Sequence, residues 1–82
     1  MTELLCEPVE VRTDVDGEPL AVHSGGRWRA VERVVNRWLV DTDWWRTPAR
    51  RDYRRCLTRD GECLELYRDQ DTGEWVLSRR YD

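Results

Sequence analysis

Four turn signals, set at short intervals, constrain this chain more than any other feature. Asp16-Gly17, Gly25-Gly26, Asp60-Gly61 and Asp71-Thr72-Gly73 each separate runs of alternating polarity. Asp-Gly and Gly-Gly supply the positive φ that tight hairpin turns need, and an alternating run is the signature of a half-buried strand. The runs are Val9 to Arg12, Leu20 to Val22, Arg27 to Arg29, Tyr53 to Leu57, Cys63 to Tyr67 and Trp75 to Leu77. In a chain of 82 residues this pattern leaves room for one core. It predicts a mainly all-β single domain over residues 1–82. The expected form is an antiparallel meander of about five to six strands, curled into a small barrel or strongly bent sheet. Residues 1–6 are expected to be a tail that need not be ordered.

One segment has a different period. Val31, Val34, Val35, Trp38 and Leu39 fall at i, i+3, i+4, i+7 and i+8, the stripe of a helix. An α+β fold with one helix at about 30–39 is therefore the alternative. The four valines of the segment 29–40, Val31, Val34, Val35 and Val40, are β-branched, and no Ser, Thr, Asp or Asn stands immediately before the stripe as an N-cap. A long strand with a bulge is the favoured expectation. Arg46 to Arg51, with Pro48 inside it, is expected to be a loop.

The core has to be built without Phe or Ile, so five Trp, three Tyr and the Leu and Val residues carry the packing. The three cysteines, at 6, 56 and 63, lack CxxC spacing and read as reduced thiols; neither a disulfide framework nor a zinc site is expected. A two-residue turn at Asp60-Gly61 would place Cys63 opposite Thr58 and a three-residue turn opposite Leu57, so neither register joins it to Cys56. No apolar run approaches the ~20 residues of a membrane span, and the N-terminal residues carry no basic, apolar leader. A cytoplasmic location and no membrane association are the expectations.

Catalytic chemistry finds no motif. Gly-x-Gly-x-x-Gly, Walker, Gly-x-Ser-x-Gly and His-Glu-x-x-His patterns are absent, and His23 is the one histidine. Asp14, Asp16 and Glu18 alternate around a turn, but no carboxylate occupies the twelfth position of an EF-hand loop. The expectation is a non-enzymatic protein without cofactor, metal or catalytic residues.

Charge is segregated along the chain. Residues 1–26 carry a net of −5, residues 27–59 a net of +6 and residues 60–82 a net of −4. All fourteen basic residues are Arg, which grips phosphate or carboxylate bidentately and stacks on aromatic rings. Within the basic middle, Trp44-Trp45 is the most informative pair. On a strand, adjacent side chains point to opposite faces, so both indoles cannot enter a one-sided core. One either plugs the open end of a barrel or forms a platform for a base, beside Arg46, Arg50, Arg51 and Arg54 as phosphate contacts. These six residues are the candidate nucleic-acid or partner-binding set. The same charges also admit a solvated, self-neutralised surface, since Arg54 and Arg55 must face opposite sides of a strand.

The order of residues adds context. Glu7-Pro8-Val9-Glu10-Val11, Gly26-Arg27-Trp28 with Val31, Val34, Val35 and Trp38, then Trp44-Trp45, Tyr53, Asp60-Gly61, Glu65-Leu66-Tyr67-Arg68, Gly73-x-Trp75-x-Leu77 and Tyr81-Asp82 form a series. This series, over residues 7–82, resembles a small bacterial domain-of-unknown-function family. Its members stand alone or extend Y-family polymerase-like proteins, near ImuA-like and ImuB-like translesion genes. The sequence departs from that pattern at Arg54 and Cys56, where relatives place larger apolar residues. The resemblance implies a DNA repair or translesion setting and carries no binding residue with it. Single-stranded DNA and a Y-family polymerase-like protein are thus the expected partners. The alternative function is a pure protein-interaction module that docks through a Trp face or an edge strand.

Overall fold

The computed structural model describes residues 2–42 and 49–81. It contains six strands: β1 (Thr2–Thr13), β2 (Pro19–Ser24), β3 (Arg27–Thr42), β4 (Ala49–Thr58), β5 (Cys63–Asp69) and β6 (Trp75–Tyr81). All pair antiparallel with their sequence neighbours, and β1 pairs with β6 to close a barrel. The all-β meander read from the turns is the observed fold.

Closure depends on two long strands that change partners. Thr2 to Val9 of β1 pair with β6, and Glu10 to Thr13 pair with β2. The strand bends where its register shifts between Leu4 and Glu7, and Cys6 within that bulge has φ 51°. The segment read as an N-terminal tail is therefore, from Thr2 onward, the start of β1. In β3, Arg27 to Ala30 pair with β2, and Val31 to Thr42 pair with β4.

Residues 30–39 are strand and not helix. The register of β3 against β4 shifts between Val31 and Arg33 and again between Val34 and Asn36. Each extra residue lengthens the interval between side chains on one face from two to three. Val31 and Val34, both packed against the core, are separated by such an interval. Two bulges thus imitate the helical stripe. Beyond them the alternation is regular, and Trp38, which the stripe would bury, pairs with Tyr53.

The turns follow their residue chemistry. Gly25 and Gly26, at φ 63° and 79°, join Ser24 to Arg27 in a two-residue hairpin. Arg59-Asp60-Gly61 is a three-residue connection: the Thr58 amide donates to the Glu62 carbonyl at 2.8 Å, and the register places Leu57 opposite Cys63. Of the expected loop at 46–51, Ala49 to Arg51 belong to β4, and 46–48 lie outside the described residues.

Val22, Cys56, Leu64, Leu66, Trp75 and Leu77 form the core, with Leu5, Val9, Val11, Val31 and Val34 packed against it. Each fully buried Leu contributes about 1.5–3 kcal/mol of transfer free energy. On β4 the alternation is clear: Arg54, Cys56 and Thr58 are buried, while Arg51, Tyr53, Arg55 and Leu57 remain partly exposed.

Candidate functional site

The outer face of β3–β6 gathers four aromatic rings and two arginines. Trp38, Tyr53 and Tyr67 occupy one cross-strand row, paired Trp38 to Tyr53 and Tyr53 to Tyr67. The Trp38 and Tyr53 rings lie 5.3 Å apart and nearly parallel, at 7°, and Tyr67 follows at 5.1 Å, tilted by 44°. Both spacings are those of favourable aromatic pairs.

Guanidinium groups rest on this row. Arg51 lies 4.6 Å from the Tyr67 ring centre and donates from Nη1 to the Tyr53 hydroxyl at 3.4 Å. That hydrogen bond helps hold its pKa above the ordinary arginine value. Arg55 sits between rings, 5.5 Å from Trp38 and 4.9 Å from Tyr81. Its Nη2 donates to the Tyr81 hydroxyl at 3.3 Å, which in turn donates to Glu65 at 3.0 Å. Glu65 is nearly covered, with Arg55 at 3.7 Å and Arg79 at 3.6 Å. Neutralised in this way, Glu65 leaves the aromatic row with a basic border.

Arg54, next to Tyr53 and Arg55 in the chain, faces the barrel interior. It is 7% exposed, pairs with Asp52 at 2.9 Å and Glu18 at 3.4 Å, and lies 5.6 Å from the Trp75 ring. Burial lowers its pKa, but the Glu18 hydrogen bond and the Asp52 charge outweigh that, and the net shift is upward. Glu18 also takes Arg37 at 2.8 Å, so the β1–β2 turn is tied to β3 and β4. Cys56, beside this cluster, is fully buried, and desolvation pushes its thiol up to about 12.

The six candidate residues are thus divided. Trp44, Trp45 and Arg46 lie outside the described residues. Arg51 is on the outer aromatic face, Arg50 is exposed, and Arg54 is inside and cannot join Arg51 in one surface. Sequence reasoning missed Trp38, Tyr53, Arg55, Tyr67 and Tyr81. A signal was present in the β4–β5 hairpin: Arg51-x-Tyr53-x-Arg55 alternates, and a Leu57–Cys63 register brings Tyr53 to Tyr67 and Arg55 to Glu65.

A smaller group occupies the outer face of β1–β3. Arg12 lies 4.6 Å from the Trp28 ring centre, and the His23 ring is 5.0 Å away on its neighbour strand. The acidic turn is committed to structure: Asp14 accepts from the amides of Asp16 and Glu18, while the Glu18 carboxylate serves the two arginines. At the opposite turn the Thr58 hydroxyl donates to Asp60, lowering that carboxyl's pKa, and Arg29 pairs with Glu62. Comparison with protein-family models, curated proteins and solved structures finds no match to the chain.

Proposed function

We propose that this barrel is a non-catalytic accessory module that holds single-stranded nucleic acid across the outer face of β3–β5. Trp38, Tyr53 and Tyr67 are its stacking surface, and Arg51 and Arg55 supply charge to the phosphates. The observation that carries this reading is the continuous row of three rings with a guanidinium against its Tyr67 end. Every base has a π-face, so such a row accepts single strands without reading sequence. A base that stacks on Tyr67 takes the place of Arg51, whose guanidinium then turns to the backbone. The setting that the family resemblance implies is a translesion polymerase assembly working on damaged DNA. Protein docking, the alternative role, is favoured by a separate feature: among the described residues no strand pairs with Val31–Thr42 of β3 on the side away from β4.

The test is a titration of an oligothymidylate into the full chain over a series of salt concentrations. Two phosphate contacts, from Arg51 and Arg55, predict a slope of about −1.4 in log affinity against log salt. Trp38→Ala and Tyr53→Ala should each weaken binding by about tenfold or more, while Trp28→Ala on the other face should leave it unchanged. Absence of binding at low salt would overturn the proposal.

A further inference from the structure

The seam where β1 changes partners leaves a cavity of about 490 Å³, whose walls include Glu10, Val11, His23, Gly73, Glu74 and Trp75. Val9 pairs with Trp75, the first residue of β6, and Glu10 pairs with His23 of β2. Beyond Val9, among the described residues, no strand runs along β1 on the β6 side, and the β5–β6 turn takes that place. A cavity of this size is in the range that takes a small ligand.

The backbone groups that face it follow from the β2–β3 turn. A two-residue hairpin closes on a pair that exchanges both hydrogen bonds, here Ser24 and Arg27. Alternation along β2 then turns the groups of Ser24 and Val22 to β3 and those of His23 and Ala21 to β1. Their partners Glu10 and Arg12 bond back to β2, so Val11 between them presents its N–H and C=O to the β6 side. By register Gly73 stands opposite, but its amide donates to the Asp69 carbonyl at 2.7 Å, and its carbonyl accepts from Arg68 Nε at 3.4 Å. Val11 thus keeps a donor and an acceptor, side by side, outside any ladder. A register shift between Arg12 and Thr13 follows at once, so the open stretch is this one residue.

Two carboxylates stand at the same cavity. Glu10 and Glu74 are exposed and, among the described residues, form no ion pair. They repel phosphate and accept N–H donors. A single donor–acceptor pair is too short for an added peptide strand, which takes a run of ladder groups, but it matches the edge of a nucleobase. The outer row supplies the route. Tyr67 pairs with Val76, Val76 pairs with Pro8, and Pro8 lines the cavity. Tyr67 and Pro8 are two strand spacings apart, about 10 Å.

We infer that this cavity takes one base of a strand bound on the aromatic row, and takes adenine or cytosine in preference to thymine. The inference rests on the proposed single-strand reading and adds a base preference to a row that has none. The Val11 carbonyl accepts one amino hydrogen of the base and the Val11 N–H donates to the adjacent ring nitrogen. The second amino hydrogen is left for Glu10 or Glu74, as carboxylates accept from an exocyclic amine. Thymine has one N–H on that edge, which Val11 consumes, and its carbonyl oxygens then face the carboxylates.

The experiment titrates the full chain with an oligothymidylate of about ten nucleotides and with a series carrying one adenine at successive positions. Adenine at the position that reaches the cavity should raise affinity about tenfold over thymine. It should also slow exchange of the Val11 amide and leave that of Glu10 unchanged. Combining Glu10→Ala with Glu74→Ala, both exposed side chains, should remove the gain without weakening oligothymidylate binding. Oligothymidylate binding with no favoured adenine position, or a gain that survives the double variant, would overturn the inference and leave the aromatic row standing. Failure of every oligonucleotide to bind would overturn both. A Val11 amide that responds to arginine amide and not to the adenine series would make this a cation site and overturn the inference.

Discussion

The two faces of β4 use the same residue type to opposite ends. On the inner face, Arg54 is held by Asp52, by Glu18 from a distant hairpin and by the Trp75 ring. On the outer face, Arg51 and Arg55 rest on tyrosine and tryptophan rings and remain partly exposed. The inner arginine is a structural tie, because a buried charge stripped of its partners costs several kcal/mol. Of the outer two, Arg51 lies against a π-face and a tyrosine hydroxyl, contacts weak enough for a ligand to displace, whereas Arg55 also pairs with the nearly covered Glu65. A basic stretch in a strand is thus two populations, and only one is available to a partner.

The comparison breaks most easily at Arg54. Arg54→Ala leaves Asp52 without its partner and should cost about 3 kcal/mol in urea unfolding, while Arg54→Met, which keeps the volume, should cost less. A loss within the range of an exposed arginine would erase the distinction between the faces.

Alkaline pH sharpens the same contrast through Cys56. Its thiol is raised from an ordinary 9.0 to about 12 by burial, so its contribution is fully present below pH 9. The unfolded chain releases the proton first, and stability should fall as pH climbs from 9 toward 12. Alkylation of the folded protein near neutral pH should label exposed Cys6 and spare Cys56, whose modification should follow unfolding. Mass spectrometry of the labelled chain reads both.

Smaller effects belong to the outer face. Tyr53→Ala removes the middle of the aromatic row and should cost about 1–2 kcal/mol, measured by thermal or urea unfolding. Arg51→Ala should change stability by less than about 0.5 kcal/mol and reduce the salt slope of oligonucleotide binding by about 0.7. A large stability loss at Arg51 would make it a tie of the Arg54 kind.

Much of this fold is legible in the sequence because its turns are local. Gly25-Gly26 and Asp60-Gly61 mark hairpins from adjacent residues, and the second narrows the β4–β5 register to two choices, of which the three-residue turn with Leu57 opposite Cys63 is the one adopted. The bulges of β3 are not legible in this way. They are set by how a long strand must bend to close the barrel, and they shift Val31, Val34 and Trp38 out of simple alternation. For the same reason the site was visible only in part. Arg51 followed from its place in a basic run, whereas Trp38 joins Tyr53 and Tyr67 through a register that depends on two inserted residues. The burial of Arg54 required Glu18, which is 36 positions away.

The central claim is that the outer aromatic row, and not the arginine content as such, takes up a single strand. The most direct measurement is oligothymidylate affinity at low salt for the unaltered chain, Tyr53→Ala and Arg50→Ala, each checked for folding by its unfolding transition. The account predicts that Tyr53→Ala loses about tenfold or more in affinity while Arg50→Ala, outside the row, changes it little. Equal affinity for the unaltered chain and Tyr53→Ala would contradict it.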